Sequence, residues 1–246
     1  MKLSIKSNFP LLTLGAGGLG LCLRMWLLRC GDEQGLLPEG HIAGILCFIL
    51  FALVMGVLFL CSRTLTPVSR YNKLFPASLW GALGCVAGTT GIVYNLFAAT
   101  AGTGVLQFLF AIISIAAAGC LVFTGYCRLT GRHPSFLFHC VITVYFMLHL
   151  VLRCRLWGAQ PQLQIFFFPF LGAIFLLLTA YQRTTLDAGQ KQRQWYVLFN
   201  QAAVFCCLLA AAGENKLFYL TMSAWVLTNL CSLQVHHRQQ RHTEEA

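Results

Sequence analysis

The chain predicts an all-α, polytopic transmembrane helix bundle, and three observations carry that expectation. First, 58% of its 246 residues are apolar, only 10% are charged, and the mean hydropathy is +0.71, whereas a soluble domain holds roughly 45–50% apolar and about 25% charged residues. Charge this sparse cannot cover a water-facing surface, which excludes the soluble globular, disordered and fibrous classes. Second, the apolar residues fall into runs of about 20, the length that crosses a bilayer core. Third, Lys and Arg gather at alternate breaks between those runs, as the positive-inside rule requires.

Cutting the chain where charges and turn residues cluster gives eight spans, at 9–28, 41–61, 75–99, 104–126, 135–152, 162–181, 195–212 and 217–233. The fifth and the last two are the weakest, so seven spans is the alternative. No stretch is polar enough to fold as an aqueous domain, and residues 1–246 read as a single transmembrane domain. Twelve of the seventeen basic residues fall on one side: Lys2, Lys6, Arg63, Arg70, Lys73, Arg128, Arg132, Arg183, Lys191, Arg193, Arg238 and Arg241. That side is therefore cytoplasmic and holds both termini. The other side holds Arg24, Arg29, Arg153, Arg155 and Lys216 with four of the seven acids, Asp32, Glu33, Glu39 and Glu214. An even number of spans with both termini inside is self-consistent. Tyr71, Tyr126, Tyr181, Trp195 and Tyr196 sit at inner ends, and Trp26 and Trp157 at outer ones, where interfacial aromatics belong.

The net charge of +10 does not point to nucleic acid, because the basic residues are scattered in pairs and triplets with no continuous stripe. Orientation in the bilayer, and contact with anionic headgroups on the cytoplasmic side, account for them better.

The first span begins after a basic tail, as a signal peptide does, but no small-x-small cleavage site follows it. Leu19, Gly20, Leu21 and Cys22 resemble a lipoprotein site except that Leu21 is bulky, so the span reads as a retained helix. Its Gly15, Gly18 and Cys22 read as a packing face. In the third span Gly81, Gly84, Gly88 and Gly91 recur at helical spacing and continue to Asn95. That is a helix-packing seam, because helices in lipid associate through close backbone approach and occasional interhelical hydrogen bonds. Asn200, Ala203, Cys207 and Ala210 repeat the pattern in the seventh span. Pro169 interrupts the sixth and predicts a kink, since it removes a backbone donor.

The fifth span carries the candidate binding surface. At about 100° per residue, His139, Tyr145, His149 and Arg153 share a stripe about 120° wide and about 21 Å long. Ionisable residues inside a span are costly and therefore mark functional positions. Arg24, Arg29 and Arg155 converge on the same outer end, where clustered guanidinium groups suit carboxylate or phosphate. Against this stands a plainer account: Arg24 snorkels to the interface, and Arg153 and Arg155 pair with Asp32, Glu33 or Glu39.

The remaining motifs argue mostly by exclusion. The seven acids all read as loop or tail residues, which counts against carriers driven through a membrane carboxylate and against intramembrane HExxH proteases. Most of the twelve cysteines lie within spans as small apolar packing residues. No CxxC or Cys/His cluster has zinc spacing, so neither metal nor cofactor is expected, and no catalytic residue is identified. Cys30 and Cys154 alone fall near outer ends, where an oxidising compartment would let them pair.

Tyr145, Phe146, Met147, Leu148 and His149, then Trp157, then Pro161 to Gln164 and Leu178 to Tyr181, together resemble a motif set of uncharacterised multipass membrane proteins of Gram-positive anaerobes. The resemblance covers the fifth and sixth spans, implies a bacterial cytoplasmic membrane, and implies no activity. The expected function is the binding or transport of a small polar or anionic solute. The alternative is a non-catalytic membrane component for sensing, assembly or partner binding, and an intramembrane enzyme ranks last.

Overall fold

A computed structural model describes residues 9–31, 41–63, 77–99, 104–158, 163–189 and 193–244, with side chains to Ser232 in the last of these segments. It is all-helical, and among the described residues there is no strand. Eight helices follow in order: α1 (Phe9–Arg29), α2 (Ile42–Arg63), α3 (Leu79–Ala99), α4 (Val105–Thr130), α5 (Phe136–Trp157), α6 (Phe167–Asp187), α7 (Arg193–Ala210) and α8 (Lys216–Glu244). The first six are long and apolar enough to cross a membrane, while the apolar part of α7 is shorter.

The helices from α3 to α8 pack side by side in chain order, and α8 closes the ring against α3. Short connections force neighbouring helices to run antiparallel. One such corner is explicit: α4 ends at Gly131, whose φ of 69° is a left-handed cap that a side chain would strain. Phe110, Tyr145, Phe146, Leu176, Phe218 and Met222 fill the ring. The α1–α2 hairpin docks outside it, chiefly on α7.

The bundle is inverted relative to a soluble protein. Arg24, Asn95, Arg128, His139, His149 and Arg183 are buried, whereas Leu60 (66% exposed), Trp80 (67%) and Phe97 (73%) point outward. An exterior this apolar needs lipid, which makes the protein an integral, multipass membrane protein.

Glycine explains how the backbones approach. A methyl group on Gly84 would strike Thr228 of α8, one on Gly91 would strike Thr221, and one on Gly88 would come within 3.0 Å of Trp225. The α3 seam therefore meets α8, while Gly81 lies at its end beside Ser78 and Arg128. The expected packing face of α1 is corrected. Gly15 and Gly18 meet open space and Cys22 is exposed; instead Gly17 and Gly20 receive Leu208 and Leu209 of α7. Thr13, Gly17, Gly20 and Arg24 form the buried face, and it is the polar Thr13 and Arg24 that mark it.

The expected kink at Pro169 is corrected as well. A 3-10 turn at Leu163–Phe166 leads into α6, so Pro169 lies in the first turn, where its missing N–H has no intrahelical acceptor to lose. All twelve cysteines are free thiols, Cys30 and Cys154 included. Tyr126, Tyr181, Trp195 and Trp26 are exposed, whereas Tyr196 and Trp157, expected at the interface, are buried in the bundle. Tyr71, Asp32, Glu33, Glu39, Lys2, Lys6, Arg70, Lys73 and Lys191 lie outside the described residues, as do the side chains of Arg193, Arg238 and Arg241.

Candidate functional site

The α5 stripe lies on one helical face, yet the bundle divides it between two polar centres. One centre, at the Arg153 end of the stripe, is organised by Asn95 of α3. Its Nδ2 donates to Tyr145 Oη at 3.1 Å and contacts His149 Nδ1 at 3.1 Å, and its Oδ1 accepts from Arg153 Nη2 at 3.0 Å. Because a guanidinium only donates, it fixes the amide with oxygen toward Arg153 and nitrogen toward the ring. The imidazole Nδ1 therefore accepts, and Nε2 carries the hydrogen of the neutral ring. That Nε2 is buried and has no hydrogen-bond partner.

Arg153 has a second amide beside it. With its oxygen turned to the guanidinium, Asn215 accepts from both Nη atoms at 3.0 and 3.2 Å. Asn215 is held in the turn before α8 at φ 56°, a left-handed conformation that Asn tolerates better than most residues. Phe110 stacks on Tyr145 with ring centroids 5.5 Å apart, and Phe218 lies 4.8 Å from His149. The centre is thus a cation bound to two neutral amides and walled by aromatics. Asn95, expected as an interhelical hydrogen-bonding residue, joins α3 to α5 through three contacts. Asn200 is different: its amide donates to Tyr196 O of its own helix at 2.6 Å.

Arg24 does not join that network. It is 3% exposed, donates from Nη2 to Ile165 O at 2.6 Å, and lies over the Phe168 ring at 5.1 Å. Its Nη1 has no hydrogen-bond partner. It has not snorkelled to the interface; α1 holds it against the start of α6.

The other centre, at the His139 end of the stripe, was not legible as a site in the sequence. His139 Nδ1 lies 2.7 Å from Asp187 Oδ2, with the two side chains 6% and 5% exposed. Arg183, one turn before Asp187 on α6, places Nε 3.9 Å from Oδ1 and donates to Tyr196 Oη at 3.4 Å. Arg128 of α4 donates to Asn229 of α8 at 3.4 Å. This corrects two expectations. Asp187 is the last residue of α6, with its side chain 5% exposed, rather than a loop acid, and Arg128 and Arg183 face the bundle interior rather than headgroups. The signal that could have found it is the helical spacing of Thr179, Arg183 and Asp187, which carries α6 and one polar face of it past Tyr181. A cavity of about 20 Å³ touches His139, Thr179, Arg183, Tyr196 and Asn229.

Between the centres the ring is closed by apolar packing. Ile142 and Phe146 of α5 are buried, and Phe146 stacks on Trp225 of α8 at 5.9 Å. His139 thus belongs to one centre, and Tyr145, His149 and Arg153 to the other. No protein-family model matches the chain, and no curated protein or solved structure is detectably similar to it.

Proposed function

We propose that the protein is an eight-span membrane protein, a single 246-residue transmembrane unit with both termini cytoplasmic, that binds and carries a small polar or anionic solute admitted at its outer end. The eight alternating helices and the distribution of basic residues support the span count and orientation. The proposed home is a bacterial cytoplasmic membrane, with the exposed Arg63 and Arg132 touching anionic headgroups at its inner face.

One observation carries the binding reading. Among the described residues, Arg153 and Arg24 have only neutral partners: Asn95 and Asn215 for Arg153, and the Ile165 carbonyl and Phe168 ring for Arg24. A cation withdrawn from water is costly unless paired, and a carboxylate or phosphate is the partner that a guanidinium fork fits best. His149 Nε2 adds a neutral donor to the same centre.

A second reading, a non-catalytic membrane component acting through its helices, is supported by the complete burial of Tyr145 and His149. Accessibility separates the two. Tyr145, His149 and Arg153 are each replaced by Cys in a background lacking native cysteines, and a membrane-impermeant thiol reagent is applied from outside. The carrier reading expects labelling at all three, slowed by acetate or phosphate. Protection at every position sinks it and leaves the second reading.

A further inference from the structure

We propose that the His139–Asp187 pair is a proton-binding site, taking up one proton from the cytoplasmic side and releasing it there, with no other bond made or broken. The neutral imidazole and the carboxylate become imidazolium and carboxylate, a gain of one positive charge. An acid and a base 2.7 Å apart exchange those states without moving heavy atoms. Burial in a membrane bundle makes each state sensitive to its surroundings.

Three features of the geometry point to a proton rather than to a static ion pair. The pair sits at the end of the bundle: His139 is in the first turn of α5 and Asp187 is the last residue of α6. A proton therefore reaches it after a small local opening. The cavity beside it, about 20 Å³, has room for one water molecule, which needs roughly 10–15 Å³ measured this way. Thr179 contributes to that cavity a hydroxyl that is buried and has no hydrogen-bond partner, so a water there has a protein group waiting for it. Finally, the charges that face the pair are mixed. Arg183 comes from α6 and Arg128 from α4, while Tyr196 of α7, Cys85 of α3 and Asn229 of α8 complete the surroundings. One anion and two cations thus set the charge of His139 by balance, the arrangement in which a single proton tips the local field.

Chains of Asp, Glu and His inside membranes mark proton pathways. As the coupling ion of a carrier, this proton rests on the function proposed above; as a binding site it does not. The test is chosen to read only the proton. The chain has two aspartates, Asp32 and Asp187, so Asp32→Asn leaves a single aspartate that can be labelled with ¹³C at its carboxyl carbon. Histidine is labelled with ¹⁵N, and the protein is followed by NMR in lipid nanodiscs over the pH range in which it stays folded. The expected result is one shared midpoint: the His139 ring gains its proton, and the Asp187 carboxylate resonance shifts with it because the new charge lies 2.7 Å away. In His139→Gln the shared step disappears while circular dichroism stays that of a folded helical protein. An Asp187 resonance that never moves overturns the proposal, as does one that moves identically in His139→Gln. Solute transport without proton binding overturns this inference and spares the carrier; proton binding without solute labelling does the reverse.

Discussion

Replacing Asn95 with Leu removes three contacts between α3 and α5 in one step: those to Tyr145, His149 and Arg153, at 3.0 to 3.1 Å. Interhelical hydrogen bonds in membrane proteins average about 0.6 kcal/mol and reach about 1.7. Three average bonds give about 2 kcal/mol, and the bond from the charged Arg153 lifts the expectation toward 3 kcal/mol. The assay is equilibrium unfolding in mixed micelles with increasing denaturing detergent, read by circular dichroism. Asn200→Leu is the control, because Asn200 is buried equally well but bonds within its own helix; it is expected to cost about 1 kcal/mol. A double-mutant cycle between Asn95→Ala and Arg153→Ala isolates one bond and should give a coupling of about 0.6–1.7 kcal/mol. If Asn95→Leu costs no more than Asn200→Leu, or the cycle closes at zero, Asn95 does not hold the two helices together.

Further expectations follow from packing and charge. Gly84→Ala drives a methyl group into Thr228 and should cost about 1–3 kcal/mol, whereas Gly18→Ala faces open space and should stabilise α1 by up to about 1 kcal/mol; equal effects on the unfolding midpoint would refute the α3–α8 seam. Pro169→Ala, in the first turn of α6, should shift stability by less than about 1 kcal/mol, and a loss near 3 kcal/mol would return the kink. Arg24→Met removes a buried cation with a single carbonyl partner and should raise the unfolding midpoint; a fall would show that Arg24 holds α1 in place. The pair His149→Ala with Arg153→Ala should abolish any thermal stabilisation by phosphate or acetate, and an unchanged shift removes both residues from the site.

Helix positions were legible because lipid demands long apolar runs: each of the eight expected stretches falls on one helix, although α6 continues to Asp187 and α8 to Glu244, and six of the helices are long and apolar enough to cross a membrane. Helix faces were less legible. In α1 the small residues recur on two faces, and only the face with Thr13 and Arg24 is buried; side-chain size alone could not choose. In α3 the seam was legible because its four glycines share one face with Asn95. The α5 stripe was correct as a helical face, yet a face does not say which neighbours it meets. α3 serves the half that carries Tyr145, His149 and Arg153, and α6 serves the His139 end. The His139–Asp187 pair escaped because hydropathy ended the sixth span at Tyr181, while the helix continues to Asp187. Charges at a span's end read as loop residues until a neighbouring helix is known to cover them.

The placement of α1 has a consequence for biosynthesis. Its buried face is completed by α7 and by the start of α6, and the carbonyl that receives Arg24 lies 141 residues downstream of it. At roughly 5–20 residues per second, translation needs about 7–28 s to cover that distance. For the part of that interval that follows the synthesis of α2, the hairpin of α1 and α2 exists with the guanidinium of Arg24 lacking its carbonyl and Gly17 and Gly20 lacking Leu208 and Leu209. The hairpin must therefore wait beside the insertion machinery, or drift in lipid, until the helices that hold it have been made.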